Sequence, residues 1–348
     1  MESPLKLIKK TYKTFQVGGP TWLGRRIVYF FKSNILPTDI DSEKWIGIAS
    51  SGDLHEWTKV DGPVLTPSET GWENCRVEDP AMSYHNDDYH MIYAGANVKD
   101  ARQTRLGYAK SSNGKQWTRM TREPILTEGT PGSWDDYAVK NPSLLYSDGQ
   151  FHLIYDGSSE ATGEWSGIGY AVSDDLQSWK KYDANPVISR GDSDSWDSKA
   201  TADSFITYLD GQYHLFYAGR DETHEWTIGV ARSDDLIHWK KDPNNPIFTK
   251  EDSLSHCEGV LNPNIFKIDG TYKMVYKCRD TTKTAERWIE LAVSDDLTEW
   301  EANPEPILVP DGPTTWEGRG ITNPEVIKTD DGFLMAYVGR VPHELSAF

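Results

Sequence analysis

Cysteine is scarce in this chain, with three in 348 residues. Cys75, Cys257 and Cys278 cannot all pair within one molecule, and none has the short spacing of a metal site. A disulfide-dense secreted scaffold is excluded, and a reducing cytoplasm is the compartment expected. Long apolar runs are missing as well: none approaches the roughly 20 residues that a spanning helix needs. Met1 to Gln16 is basic but lacks the apolar core and small-residue cleavage site of a secretion signal. Positive charge is in deficit, with a formal net charge of -18. Such a surface does not suit nucleic acid or an anionic membrane, since both demand basic patches.

What is abundant is aromatic: fourteen Trp and seventeen Tyr. Trp57, Trp117, Trp179, Trp239 and Trp300 recur about sixty residues apart, each closing a similar stretch. The clearest copy runs from Trp134-Asp135 through Lys140-Asn141-Pro142, the turn Asp148-Gly149, Phe151 to Tyr155 and Gly167 to Ala171, to Ser173-Asp174-Asp175-Leu176 and Trp179. Each copy holds four short strand signals, which is one blade of a β-propeller. Full units begin near Trp72, Trp134, Trp196 and Ser255. The last, from Trp316, supplies only Asn323 to Lys328 and Phe333 to Val338. At the other end, Trp45 to Ser50 and Glu56 to Val60 look like third and fourth strands. The expected fold is therefore all-β: one domain over residues 1–348, a five-bladed propeller of four-stranded antiparallel blades closed by N- and C-terminal strands. Residues 1–24 read as an irregular extension. Arg26 to Lys32 and Phe333 to Val338 both look like second strands, and the pattern does not choose between them for the closing blade.

Repetition also sorts structure from chemistry. The Ser-Asp-Asp-Leu segments recur, so their acids read as turn residues bonding nearby backbone N–H groups. His90, His152 and His214 recur on second strands and read as packed histidines. The Asp-Gly pairs at 148, 210, 269 and 331 are hairpin signals between first and second strands. The longer, variable connections follow the second strands: Ala96 to Thr104, Gly157 to Trp165, Arg220 to Trp226 and Arg279 to Arg287. Ligands favour such loops on a rigid scaffold, so the expected site is the channel mouth where first strands begin.

There the units differ. The residue opening the first strand is Asp79, Asn141, Asp203, Asn262 or Asn323. Four residues upstream stand Cys75, Tyr137, Lys199, Glu258 and Arg319. Cations gather (Arg76, Lys140, Lys199, Arg220, Arg279, Arg319, Arg340), and acids meet them: Glu78, Asp79, Asp156, Asp203, Glu258, Asp280 and Glu325. A mixed ring of this kind suits a neutral polyol or sugar, with room for an anion beside it. The competing reading is a set of ion pairs tying blades together. No ligand cluster demands a metal, although a channel ion would be compatible.

The pattern of Trp-acid, Asp-Pro and Ser-Asp-Asp-Leu-x-x-Trp resembles the five-bladed propeller glycosidases of glycoside hydrolase families 43 and 32, over nearly the whole chain. Several strings are closer to family 130, the β-mannoside phosphorylases and hydrolases. Arg76-Val-Glu-Asp-Pro80 is similar to that family's Glu-Asp-Pro segment, which implies a general-acid role for Asp79. Trp196-Asp-Ser-Lys199 is similar to its Trp-Asp-Ser segment, which implies a phosphate contact for Lys199. Glu258-Gly-Val-Leu-Asn-Pro-Asn-Ile-Phe266 and Asp280 match its next strand and the Asp that follows it. Lys140 and Asn141 stand where that family pairs a cation with an amide. Where a phosphorylase carries a further Arg, this chain has Tyr155-Asp156-Gly157, which weakens phosphate binding. The family 43 triad is incomplete, because the fourth full unit opens on Asn262 with only Glu258 nearby.

The resemblance implies cleavage of a β-linked oligosaccharide, a mannoside or related sugar, by paired carboxylates. Asp79 is the expected acid and Asp203 or Glu258 the second carboxylate. Arg76, Lys140, Asn141, Lys199, Asp280, Arg319, Asp156, Arg220 and Glu325 are the expected substrate contacts. Hydrolysis is the first reading. Phosphorolysis, with phosphate as co-substrate and no other cofactor, is the second, and a sugar-binding propeller without catalysis the third. A propeller docking protein partners would need an apolar mouth, which this is not. Strand alternation predicts that Glu78 and Asp79 point to opposite faces. The sequence names no oligomeric state.

Overall fold

The computed structural model describes residues 43–160, 165–253, 257–279, 288–342 and 345. Among them every regular element is a strand. β1 (Lys44–Ser51) and β2 (Thr58–Lys59) come first. Then come β3 (Arg76–His85), β4 (Asp88–Asn97), β5 (Asp100–Ser111) and β6 (Thr118–Arg119). The next unit is β7 (Ala138–Ser147), β8 (Gln150–Ser158), β9 (Trp165–Ser173) and β10 (Lys180–Lys181), with β11 (Ile188–Ser189) beside β9. It is followed by β12 (Ala200–Leu209), β13 (Gln212–Arg220), β14 (Trp226–Ser233) and β15 (Lys240–Lys241). The last elements are β16 (Gly259–Ile268), β17 (Thr271–Arg279), β18 (Ile289–Ser294), β19 (Glu301–Ala302), β20 (Ile321–Thr329) and β21 (Gly332–Arg340).

Four antiparallel units follow chain order, and a further sheet runs β2-β1-β21-β20. β1 pairs with β21 along its whole length, from Lys44↔Arg340 to Ser51↔Phe333. Phe333 to Val338 is thus the second strand of the sheet that joins the two chain regions. Arg26 to Lys32 lies outside the described residues. The first strands touch in the order β3, β7, β12, β16, β20, and β20 returns to β3.

Local chemistry explains the turns. Asn86-Asp87, Asp148-Gly149, Asp210-Gly211 and Asp269-Gly270 all have positive φ, the conformation of two-residue hairpins that Asn, Asp and Gly tolerate. In the Ser-Asp-Asp-Leu turn, Ser173 Oγ accepts from Leu176 N at 2.9 Å, and Asp175 Oδ1 accepts from Gln177 N at 2.9 Å and Ser178 N at 2.7 Å. Trp179 Nε1 donates to the Leu176 carbonyl at 3.1 Å. These acids are turn residues, as their repetition predicts. His90 and His152 are buried and bond Tyr108 and Tyr170 hydroxyls at 2.7 Å, so they too are structural.

Among the described residues, each unit except β16–β19 shows a clasp. The Trp-acid pair ahead of the first strand folds under the sheet. Trp134 lies over Gly157 and Gly169, where a Cβ would come within 2.3 Å and 2.7 Å of the ring. Asp135, buried, accepts from Tyr155 on the second strand at 3.4 Å and from Lys181 on the fourth at 2.6 Å. Glu73 with Arg119, Asp197 with Lys241 and Glu317 with Lys59 repeat the arrangement. One carboxylate thereby ties the entry loop to the second and fourth strands.

Candidate functional site

The first strands do not stay regular at the end where they begin. Each is bulged: the pairing register shifts between Glu78 and Ala81, Lys140 and Ser143, Ala202 and Phe205, Leu261 and Asn264, and Thr322 and Glu325. Inside each bulge one residue is left-handed: Asp79 (φ 52), Asn141 (45), Asp203 (54), Asn262 (50) and Asn323 (51). Left-handed backbone disfavours most side chains by about 1–2 kcal/mol, and Asp and Asn are the exceptions with a Cβ. The Asp/Asn set is therefore a conformational requirement first. The bulge also overturns the expectation from strand alternation: Glu78 and Asp79 line one cavity rather than opposite faces.

That cavity, of about 240 Å³, brings together Glu78, Asp79, Lys140, Asn141 and Asp203. It also holds Lys44, Trp165, Trp226, Lys277, Arg279, Thr322 and Asn323. Trp165, Trp226 and Arg279 bound the variable connections between second and third strands, so the mouth is where loop variation placed it. Lys44, Trp165, Trp226 and Lys277 are absent from the residues selected on sequence. Lys44 breaks no repeated motif, the two tryptophans were visible only as loop boundaries, and Lys277 stands at the register of Asp156, where other units have Ala94, Ala218 and Val338, a departure that was passed over.

Electrostatics separates the two adjacent acids. Glu78 contacts Lys44 Nζ at 2.6 Å and Arg76 Nε at 2.6 Å. Burial opposes its charge, but Arg76, Lys44 and Lys140 outweigh it and hold the carboxyl at about 2. Asp79 is pushed up to about 6 by burial and by the neighbouring Glu78 charge. Asn323 Nδ2 donates to Asp79 Oδ1, while Asp79 Oδ2 is buried without a hydrogen-bond partner among the described residues. Lys140 is half-buried, and Asp79, Glu78 and Asp203 hold its ammonium charged against the desolvation there. Its Nζ sits 4.3 Å from the Trp165 ring centre.

Asp156 is 0 % exposed and backs the cavity instead of lining it. It accepts from Asn141 Nδ2 at 2.7 Å, Asp203 N at 2.7 Å and Ser204 Oγ at 3.2 Å. Burial, then the Asp203 charge, raises its pKa well above the usual carboxylate range. Its position suits holding two bulges in register. Glu325 is also a structural contact. It faces Met82 N at 3.5 Å across the β20–β3 junction, where Asn264 bonds Val326 N at 2.8 Å and Ser143 bonds Ile206 N at 2.9 Å in equivalent places.

The remaining expected contacts fall around the rim. Glu258, half-buried, donates its backbone N–H to Arg279 at 2.7 Å and so stands beside a cavity residue. Arg76 lies behind Glu78. Arg220 is 5.3 Å from the Trp226 ring centre. Arg319 donates N–H to the Arg340 carbonyl at 3.1 Å. Lys199 is drawn outward to Glu222 at 2.5 Å, away from the cavity its motif implied. Asp280 lies outside the described residues.

Cys257 and Cys278 form a disulfide across the start of β16 and the end of β17, and Cys75 is a buried thiol. The two sulfurs and a Glu290 oxygen lie within 4.8 Å of one another, a cluster that spacing along the chain did not announce. No helix among the described residues is long and apolar enough to cross a membrane.

An all-β scaffold that presents an ionised carboxylate beside a protonatable one, with cations and indole rings around them, defines an enzyme acting on glycosides. The comparisons agree. The model of glycosyl hydrolases family 43 matches residues 35–259, and the chain belongs to that family. The model of the glycosyl hydrolases family 32 N-terminal domain matches residues 203–341. A 1,2-beta-oligomannan phosphorylase from Thermoanaerobacter sp. (strain X514) is 32% identical over 63% of this chain and 70% of its own. A beta-1,2-mannobiose phosphorylase from the same organism is 30% identical over 64% and 72%. Among solved structures, a member of the GH130 family described as containing hydrolases that target beta-1,2 mannosidic linkages in Candida mannan has a TM-score of 0.61 at 16% identity, covering 88% of this chain and 96% of its own.

Proposed function

We propose that the chain is a single five-bladed β-propeller, closed by the β1–β21 pairing, that cleaves a β-linked mannoside at the mouth of its channel. The cyclic contacts of the first strands support the architecture, and the oligomannan phosphorylase relatives support the sugar. Asp79 is the general acid. The observation that carries this is the contrast within one dipeptide: Glu78 is held ionised by cations while Asp79, raised to about 6, keeps an unpartnered Oδ2 facing the cavity. Asn323 fixes the other oxygen, so the proton sits on Oδ2 and can pass to the leaving glycosidic oxygen. Asp203 is the second carboxylate, with Glu258 at the rim as its rival. Lys140 and Asn141 bind sugar hydroxyls.

Hydrolysis is the first reading and phosphorolysis the second. Lys44, Lys140, Lys277 and Arg279 outnumber the three cavity carboxylates, an excess that favours an anion beside the sugar. The test is incubation of the protein with β-1,2-linked manno-oligosaccharides with and without phosphate, products separated by chromatography. Free mannose without phosphate marks a hydrolase, and mannose 1-phosphate that needs phosphate marks a phosphorylase. If neither forms from any β-mannoside, the proposal fails. The cytoplasmic expectation drew on the scarce cysteines together with the hydropathy and N-terminal pattern, and the Cys257–Cys278 bond weighs against it. Alkylation and mass spectrometry of protein taken directly from cells decides between them.

A further inference from the structure

The hairpin ends of the first strands carry a feature the reaction does not use. Tyr84, Tyr146 and Tyr208 occupy equivalent positions on three successive units, two residues before each hairpin turn, and are 41%, 38% and 54% exposed. The other two units have Lys267 and Lys328 there. Exposed aromatic residues in three adjacent copies are not needed for packing, because each strand already buries its inward face. Tyr146 lies against His85 of the preceding unit at 3.9 Å, and Tyr208 packs at 4.9 Å on Tyr213 of its own unit, whose hydroxyl is 3.2 Å from Ser147 Oγ of the preceding one.

Between the second and third of these rings lies a cavity of about 480 Å³, lined by Tyr146, Tyr208, Tyr213, Asp148, Gln212 and Asp234 among others. It is within the range of roughly 300–1,000 Å³ typical of ligand pockets. Along β7, Ser147 is six residues beyond Asn141, about 20 Å at the rise of a strand. This cavity is therefore distinct from the catalytic one. Its lining holds no Lys or Arg, which disfavours phosphate and acidic chains. Its acids already have neutral donors: Gln212 Nε2 donates to Asp234 at 2.8 Å, and the Tyr213 hydroxyl lies 3.5 Å from Asp148. Flat rings with acceptors around them match the alternation of C–H faces and hydroxyls on a neutral sugar.

We infer that this face is a second carbohydrate-binding site, which holds a neutral polysaccharide strand along the Tyr84, Tyr146 and Tyr208 track while the opposite mouth acts on a chain end. The inference rests on the glycoside reading for its sugar class, but its test is separate. Binding is measured by affinity electrophoresis through a panel of neutral β-linked mannan, glucan, xylan and galactan, using Asp79→Asn protein to prevent cleavage. In that background the Tyr146→Ala/Tyr208→Ala pair weakens retardation by at least one panel polymer about tenfold. The corresponding Tyr→Phe pair retains it. With Asp79 intact, turnover of a disaccharide is unchanged by the alanine pair. Retardation that is equal with and without the rings, or absent for every polymer, overturns the site, as does a disaccharide rate that falls with the rings. Absence of turnover on any glycoside, with ring-dependent retardation intact, removes the catalytic reading and leaves this one standing.

Discussion

The β16–β19 unit and its four neighbours solve one packing problem in two ways. In the neighbours a Trp fills the space under the sheet, glycines on the second and third strands make room for it, and an acid beside the Trp binds a Tyr and a Lys or Arg. In β16–β19 each of these positions has changed. Ser255-His256 stands for the Trp-acid pair, Cys278 and Glu290 for the two glycines, and Ala302 for the cation. Tyr276 still has its carboxylate, because Glu290 reaches its hydroxyl at 2.5 Å from the third strand while also accepting from Trp288 Nε1 at 2.7 Å. Losing the large ring freed the volume, and Cys278 and Glu290 occupy it. The acid has moved from the entry loop to the third strand, and the fourth strand carries Ala302 where the other units have a Lys or Arg. This unit also contributes Lys277 and Arg279 to the candidate cavity, so the departure from the common clasp occurs beside the proposed site.

The comparison is broken or sharpened most forcefully at the bulges. Asp79→Asn puts into β3 the residue that β16 carries at Asn262, with its tolerance of left-handed backbone. The expected result is a fall in kcat of about 10²–10⁴ with thermal stability retained. An unchanged rate would show that the two units differ for no catalytic reason. In the parent protein, activity should decline as pH rises through about 6, because the acid must be protonated to act, and pH–rate profiles measure this. Next come the clasps. Asp135→Ala strands Lys181 and is expected to cost about 3 kcal/mol in denaturant unfolding. Glu290→Gln keeps an acceptor for the Tyr276 hydroxyl and Trp288 Nε1, and should cost about 1 kcal/mol. Equal costs would erase the distinction drawn between the units. Reduction of the Cys257–Cys278 bond, 21 residues apart, is expected to remove about 2–3 kcal/mol, read from unfolding with and without reductant.

The smallest effect tests the junctions between units. Glu325 is raised to about 8 by burial, whereas in the unfolded chain it titrates near 4.5. The unfolded form therefore releases its proton first as pH rises, and stability falls between these two values. Glu325→Gln retains a carbonyl for Met82 N and removes that penalty. Its melting temperature should exceed the parent's by a few degrees at pH 8 and match it near pH 4.5. A difference that is constant with pH would assign the effect to packing instead.

Much of this was legible in advance, for identifiable reasons. The Asp-Gly pairs are local signals with fixed geometry, so the hairpins could be anticipated within a residue or two, whereas the pattern did not choose between Arg26 to Lys32 and Phe333 to Val338, and it is Phe333 to Val338 that pairs with Trp45 to Ser50. Asp79, Asn141 and Asp203 were singled out because they stand at one repeated position, with Lys140 one residue before it, and all four line the cavity. The bulge was missed, although its signal was present: five Asp or Asn residues at one register, a choice that alternation does not explain but positive φ does. Lys199 was misplaced, since a short motif cannot show that Glu222 would draw it outward. Glu325 was taken for a sugar contact because an inward acid beside a proline looks the same whether it bonds a ligand or the next strand's backbone.

The pairing of β1 with β21 also sets a schedule for synthesis. Lys44 meets Arg340 only after roughly 290 further residues have left the ribosome, about 15–60 s at ordinary translation speeds. Through that interval β1 carries an open edge that can recruit another nascent chain, so the charged Lys44 at its start acts as early protection before it comes to line the cavity.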